Sequence, residues 1–263
     1  MDIFKIIDEF QKFDGDAVGR LEHATRRHFM NRVSSKLAAV AVPTVFASVV
    51  NKAYAQSAAA VDVLNYALTL EYLEDEFYKA GNAAANLIPA ADKAIFTQIG
   101  KHETQHVAFL VKALGAKAIA KPTFDLFYGG AFGDVLTNYA TFVTVSSALE
   151  DTGVRAYKGQ AGALIADPQI LEYALQVHSV EARHAAVVRR LAATVTGNAA
   201  MKGWITGKAG AVAAIYAGED NMTQGGVDLT GLASKSPAAI TEAFDEPLSK
   251  EAVLAIAGPF FKK

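Results

Sequence analysis

The chain contains no cysteine. Disulfides cannot staple it, and iron–sulfur clusters, rubredoxin-type iron and thiolate-bound zinc are excluded. It also lacks a charge of one sign: 25 Lys and Arg against 27 Asp and Glu give a formal net charge of -2, with a pI near 6.3. There is no basic excess to hold nucleic acid or an anionic membrane surface. Long apolar runs are missing as well. The stretch from Leu37 to Val50 is too short and too interrupted for a stable membrane span. Glycine and proline, 20 and 7 of 263 residues, are not enriched, so long disorder is not indicated. His-Glu-x-x-His does not occur, which removes a leading signature of catalytic zinc. What is there is 52% hydrophobic, enough for one globular domain with a sizeable core.

Histidine is scarce too, with six in the chain, yet two of the six stand in the same motif. These are Glu103-Thr-Gln-His106 and Glu181-Ala-Arg-His184. On a helix, positions i and i+3 share a face, so each pair aims a carboxylate and an imidazole at one point. Each pair has an upstream partner: Glu71 with Tyr78 seven residues on, and Glu150 with Tyr157 seven residues on. The intervals match, at 32 residues from Glu71 to Glu103 and 31 from Glu150 to Glu181. The order Glu, then Glu-x-x-His, twice over, is the ligand set of a di-metal carboxylate site in a four-helix bundle. Four carboxylates balance two divalent cations, and burying them without cations would be very costly. Carboxylate and imidazole donors suit Fe and Mn.

The periodicity predicts four long helices. The first runs from about Ala59 to Ala80 and stops at Gly81-Asn82. The second follows Pro89 and ends at Leu114 before Gly115. A long connection over 116–133 leads to a third helix from about Asp134 to Lys158. Asp167-Pro168 caps a fourth, which runs to about Ala193. The matching patterns suggest a pseudo-twofold repeat. Beyond Gly197 the pattern weakens. A short helix around Trp204, a loop from Gly218 to Ser236 and a last helix from Ser249 to Ala257 are expected to pack on the bundle.

Several residues carry two readings. Glu74 is either an extra ligand or part of an acidic surface with Asp75 and Glu76. His102 reads as a rim histidine, with contact to the site as the alternative, and His178 stands one turn before Glu181. Tyr78 and Tyr157 either hydrogen-bond the site's carboxylates or are core tyrosines. Asp151 and Arg155 read as an i,i+4 ion pair on the solvated face.

Before the helices lies a segment with the features of an export signal. Arg26-Arg27-His28-Phe29-Met30 is a twin-arginine pattern, the apolar stretch follows, and Ala53-Tyr54-Ala55 fits a cleavage site. Residues 1–55 are therefore expected to direct export to the periplasm or beyond. The alternative is an amphipathic helix lined by Ile3, Ile6, Ile7, Phe10 and Phe13 in a cytoplasmic protein, since acidic residues precede the arginines.

The segments Leu64–Tyr78, Ile99–His106, Ala148–Tyr157 and Val180–His184 resemble the ferritin-like superfamily. They are most similar to exported ferritin-like domain proteins related to plant desiccation-related proteins. The resemblance covers about residues 58–195. It implies an all-α ferritin-like four-helix bundle over 56–197, with a crossover between helices 2 and 3 and an extension over 198–263. It also places Glu71, Glu103, His106, Glu150, Glu181 and His184 on the superfamily's ligand positions for two Fe or two Mn ions per chain. In this reading Glu103 and Glu181 bridge the metals. Glu71 with His106, and Glu150 with His184, complete the two ends; the swapped pairing stays open. Partners are O2 or peroxide, as in ferroxidases, peroxidases and manganese catalases. The alternative is a metal-holding structural or stress-protection protein without turnover. A homo-oligomer is compatible, but the long extension argues against a 24-subunit storage cage.

Overall fold

The computed structural model describes residues 57–208, 213–231 and 235–262. The expected export segment, 1–55, lies outside the described residues. Four long helices make the bundle: α1 (Ala58–Ala83), α2 (Lys93–Leu114), α3 (Tyr139–Gln160) and α4 (Pro168–Thr196). The main packing is α1 on α2 and α3 on α4, with α1 also against α3.

Helix starts follow capping chemistry. Ser57 accepts the Ala60 amide at 3.0 Å and caps α1. The same hydroxyl donates to the Asp167 carboxylate at 2.7 Å, tying the start of α1 to that of α4. Asp167 therefore does not cap α4 with its side chain, although Pro168 occupies the first turn as expected. The third helix starts later than its periodicity suggests. Asn138 is the cap, accepting from the amides of Ala140 and Thr141, and residues 134–137 form a turn before it.

Gly81 does not stop α1. The helix runs on to Ala83, and the glycine makes room for a neighbour. A Cβ at Gly81 would lie 2.2 Å from the Phe142 ring of α3. Phe142 in turn stacks on Phe77 with centroids 5.0 Å apart, so the missing side chain lets α1 and α3 share one aromatic layer. At the end of α2, by contrast, Gly115 adopts φ +57° and does terminate the helix.

The crossover from α2 to α3 is held by the chain's far end. Asp125 donates its amide to the Phe260 carbonyl at 2.7 Å, and Phe124 bridges Phe261. Among its described residues the tail contains two short α-helices, α5 (Pro237–Thr241) and α6 (Lys250–Ala257), and α6 is capped by Ser249 as predicted. Leu248, Val253 and Ala257 close over Tyr66, Leu70 and Ala156 of the bundle. Trp204 lies in no helix and is exposed. Within the expected loop, β1 (Thr223–Gln224) and β2 (Val227–Asp228) form a small antiparallel hairpin around Gly225-Gly226.

The Asp151–Arg155 reading is overturned. Both residues are buried, and each bonds elsewhere. Arg155 pairs with Glu219 at 2.8 Å and donates to the carbonyls of Ile215, Ala217 and Glu246. Asp151 accepts from Arg189 at 2.6 Å and from Tyr216 at 2.7 Å. The face of α3 expected to meet water is covered by the tail.

Candidate metal centre

Each of the four helices presents its ligand-type residues to one interior point. α1 brings Glu71, α2 brings Glu103 and His106, α3 brings Glu150, and α4 brings Glu181 and His184. All four glutamates are 0% exposed. The six divide into two groups that share two members: Glu71, Glu103, His106 and Glu181, then Glu103, Glu150, Glu181 and His184. Within each group one donor atom per residue lies within 4.8 Å of every other.

The sharing is atomic. His106 Nδ1 lies 3.1 Å from Glu103 Oε2, 3.0 Å from Glu181 Oε1 and 3.2 Å from Glu71 Oε2. His184 Nδ1 lies 3.0 Å from Glu103 Oε1, 3.2 Å from Glu181 Oε2 and 3.3 Å from Glu150 Oε2. Glu103 and Glu181 thus each give one oxygen to each end, while Glu71 and Glu150 serve one end apiece.

This arrangement fits cations better than protons. One ring nitrogen carries at most one hydrogen, yet each Nδ1 faces three carboxylate oxygens. Glu103 Oε1, Glu150 Oε2 and Glu181 Oε1 are accordingly buried without a hydrogen bond among the described residues. Unpaired buried carboxylate oxygens are expensive, and a bound cation would satisfy them.

A family model for the ferritin-like domain matches residues 59–194, which covers all four helices' ligand-type residues. The chain belongs to the ferritin-like domain family. Comparison with curated proteins gave no match.

The electrostatics of this ferritin-like domain reflect the crowding. Burial pushes the Glu71 carboxyl up to about 8, with His106 pulling it down and Glu181 and Glu103 pushing it further up. Burial also holds Glu150 well above the carboxylate range. Glu181 goes the other way: burial opposes its charge, but His106 and His184, which both face it, outweigh that and bring it to about 2. Burial disfavours a charged His184, yet Glu103, Glu150 and Glu181 hold it up near 12, and His106 is raised in the same manner.

Behind the six, both tyrosines bond carboxylates, and they do so crosswise. Tyr78 of α1 donates to Glu150 Oε1 of α3. Tyr157 of α3 donates to Glu71 Oε1 of α1 at 2.5 Å. Each end glutamate therefore spends one oxygen on a tyrosine and turns the other toward a histidine.

His102 is no bystander at the rim. Its Nδ1 lies 2.9 Å from His184 Nε2, and the nearly parallel rings meet edge to edge with centroids 5.1 Å apart. This contact holds His184 with Nδ1 aimed at the glutamates. His178 is not brought to the cluster. It is half-buried, its Nε2 has no hydrogen bond among the described residues, and after burial the charges that act on it most are Lys158 and Asp245.

Glu74 and Asp75 do not form an acidic surface, since both are buried. Asp75 accepts from Thr104 and Lys79, each at 2.7 Å. Glu74 belongs to neither ligand group. It stands three residues after Glu71, as Gly153 stands three after Glu150, and the two positions meet: a Cβ at Gly153 would lie 3.2 Å from Glu74 Oε1. One half of the repeat carries a carboxyl where the other leaves space for it. Burial, then the charges of Glu150, Glu181, Glu103 and Glu71, raise Glu74 well above the carboxylate range.

Sequence reasoning misread Asp151 and missed Arg189 and Tyr216; the three form a buried network beside Glu150. The only signal available was an arginine five residues after His184 on the helix that carries it.

Proposed function

We propose that this protein holds two Fe or two Mn ions between Glu71, Glu103, His106, Glu150, Glu181 and His184, and that it is an oxidoreductase acting on O2 or peroxide. The observation that carries this reading is the split of Glu103 and Glu181, each with one oxygen toward each histidine. A carboxylate placed so is built to be shared between two cations. Such ions, when bound, supply electron-pair exchange with an oxidant.

The chain's own groups support that chemistry. Tyr78 and Tyr157 fix the end carboxylates so that only one oxygen of each faces inward. His102 sets the orientation of His184. Burial and the charges of the four glutamates favour a proton on Glu74, which lines a mostly apolar pocket with Leu70, Leu73 and Leu149. Phe77, Phe96 and Phe142 keep water from one flank.

One observation favours a second reading, metal holding without turnover: all four glutamates are fully buried, so access to them is restricted. The two are separated by loading the purified protein with Fe(II) or Mn(II) and following O2 uptake and peroxide loss. Consumption of either oxidant above that of free metal supports the oxidoreductase. Full loading with no consumption of either supports the holding role.

Export through the twin-arginine route is a further part of this proposal, supported by Arg26-Arg27 and Ala53-Tyr54-Ala55. That route carries folded proteins, so metals can enter before export.

A further inference from the structure

A second cavity, of about 430 Å3, lies between α3, α4 and the tail, and none of the six cluster residues lines it. Its size suits a small molecule. The floor is buried and includes Ser147, Arg189 and Tyr216; the mouth carries exposed Asn198 and Lys202. Among the described residues two cations line this cavity and no carboxylate does.

Two features of the floor point to a ligand. The Ser147 hydroxyl is buried, with the residue 3% exposed, and has no hydrogen-bond partner among the described residues. A buried hydroxyl left unpaired is costly, and a ligand atom in the cavity relieves it. Arg189 is held on three sides: Nε to the Lys202 carbonyl at 3.1 Å, Nη1 to Asp151 at 2.6 Å and Nη2 to the Trp204 carbonyl at 3.1 Å. Those bonds use three of a guanidinium's five N–H groups. The remaining donors sit on a group that is already immobilised, which lowers the entropic cost of binding an oxyanion.

Lys202 pairs with Glu242 at 2.6 Å, but its side chain is 45% exposed, so the ammonium can turn to a ligand at the mouth. Between mouth and floor the wall is mostly apolar, with Ala148, Ala192 and Met201 beside Thr144, Thr196 and Thr206. A bare inorganic ion would leave that surface uncovered. We infer that this cavity binds a small organic oxyanion, its charged end on Arg189 and Ser147 and its short apolar body against Met201 and Ala192.

The test is calorimetric titration of the full-length protein, with its metals, using succinate and inorganic phosphate as probes. Succinate should bind saturably with a Kd of about 1 mM or tighter, and more tightly than phosphate. Ser147→Ala, which removes only the hydroxyl, and Lys202→Gln should each weaken succinate by about tenfold or more, together with an unchanged melting temperature and metal content. Chelated protein should bind succinate as well as the loaded form does, which separates this site from anion binding at the metal centre. The inference is overturned by no saturable binding at about 10 mM succinate, by tighter binding of phosphate, by variants that bind like the wild type, or by binding that disappears with the metals.

Discussion

Tyr157 on α3 donates its hydroxyl hydrogen to Glu71 on α1 at 2.5 Å, and Tyr78 on α1 returns the bond to Glu150 on α3. Each tyrosine stands seven residues after one end glutamate and bonds the other. The two halves of the site are thus latched to one another rather than each to itself. The latch explains why the end carboxylates present a single inward oxygen each.

Breaking one latch should loosen the matching end. Tyr157→Phe and Tyr78→Phe keep the ring packing but leave a buried carboxylate oxygen unpaired. Partners behind metal ligands typically contribute 10–100-fold in affinity, so each variant should bind Fe(II) or Mn(II) about tenfold more weakly or worse. Competition against a chelator measures this. Pseudo-symmetry requires similar losses for the two variants.

The metal-free protein should lose stability as pH rises. Folding raises Glu71 from 4.5 to about 8, mainly through burial. It raises His184 from 6.5 to about 12, burial being outweighed by three carboxylates. In both cases the folded state binds more protons than the unfolded state, so stability falls with pH. The Glu71 contribution is lost from about 4.5 through 8, and that of His184 from about 6.5 toward 12. Glu181, lowered from 4.5 to about 2, acts oppositely but only in acid. Cations displace these protons. The melting temperature of chelated protein should therefore drop between about pH 6 and 9, and the gain on adding metal should widen. Calorimetry in matched buffers checks both slopes; a flat metal-free curve contradicts the crowded-carboxylate account.

Glu74 and Gly153 should be coupled. Alanine at 153 gains helix propensity of about 1 kcal/mol but presses a Cβ toward Glu74 Oε1. Gly153→Ala should be less favourable with Glu74 present than in a Glu74→Ala background, by about 1 kcal/mol. Denaturant unfolding of the four proteins of the cycle measures it. Simple additivity would mean the glycine is not there to accommodate the carboxyl.

Much of this was legible in the sequence because the cluster residues lie within single helices at i,i+3 spacing and recur in the second half. That pattern survives without knowledge of the packing. What could not be read depends on which helices meet. The crossed tyrosine bonds require α1 beside α3. Gly81 has stop chemistry on its own, and only Phe142 shows it to be a packing site. Asp151 and Arg155 have surface-pair spacing, but their partners Glu219 and Tyr216 come from a tail more than 60 residues away with little periodicity of its own. In the sequence His102 reads as a rim residue because the position of His184 on another helix is not encoded locally.

Export is testable independently of the fold. Arg26→Lys with Arg27→Lys keeps the charge and loses the guanidinium geometry a receptor reads. The precursor should then stay in the cytoplasm, as seen by fractionation. Continued export, or a mature protein that still begins at Met1, would favour the amphipathic-helix alternative.

The central claim is that Glu103 and Glu181 are shared between two metal ions, and metal content per chain tests it most directly. Elemental analysis of purified wild type, without added metal, should give about two Fe or Mn per chain. Glu181→Ala should lose both ions while helical content remains, because its carboxylate serves both ends. Tyr157→Phe should weaken one end only. A wild type without Fe or Mn that also fails to take up either ion, or a Glu181→Ala variant with full occupancy, would contradict the shared-carboxylate centre.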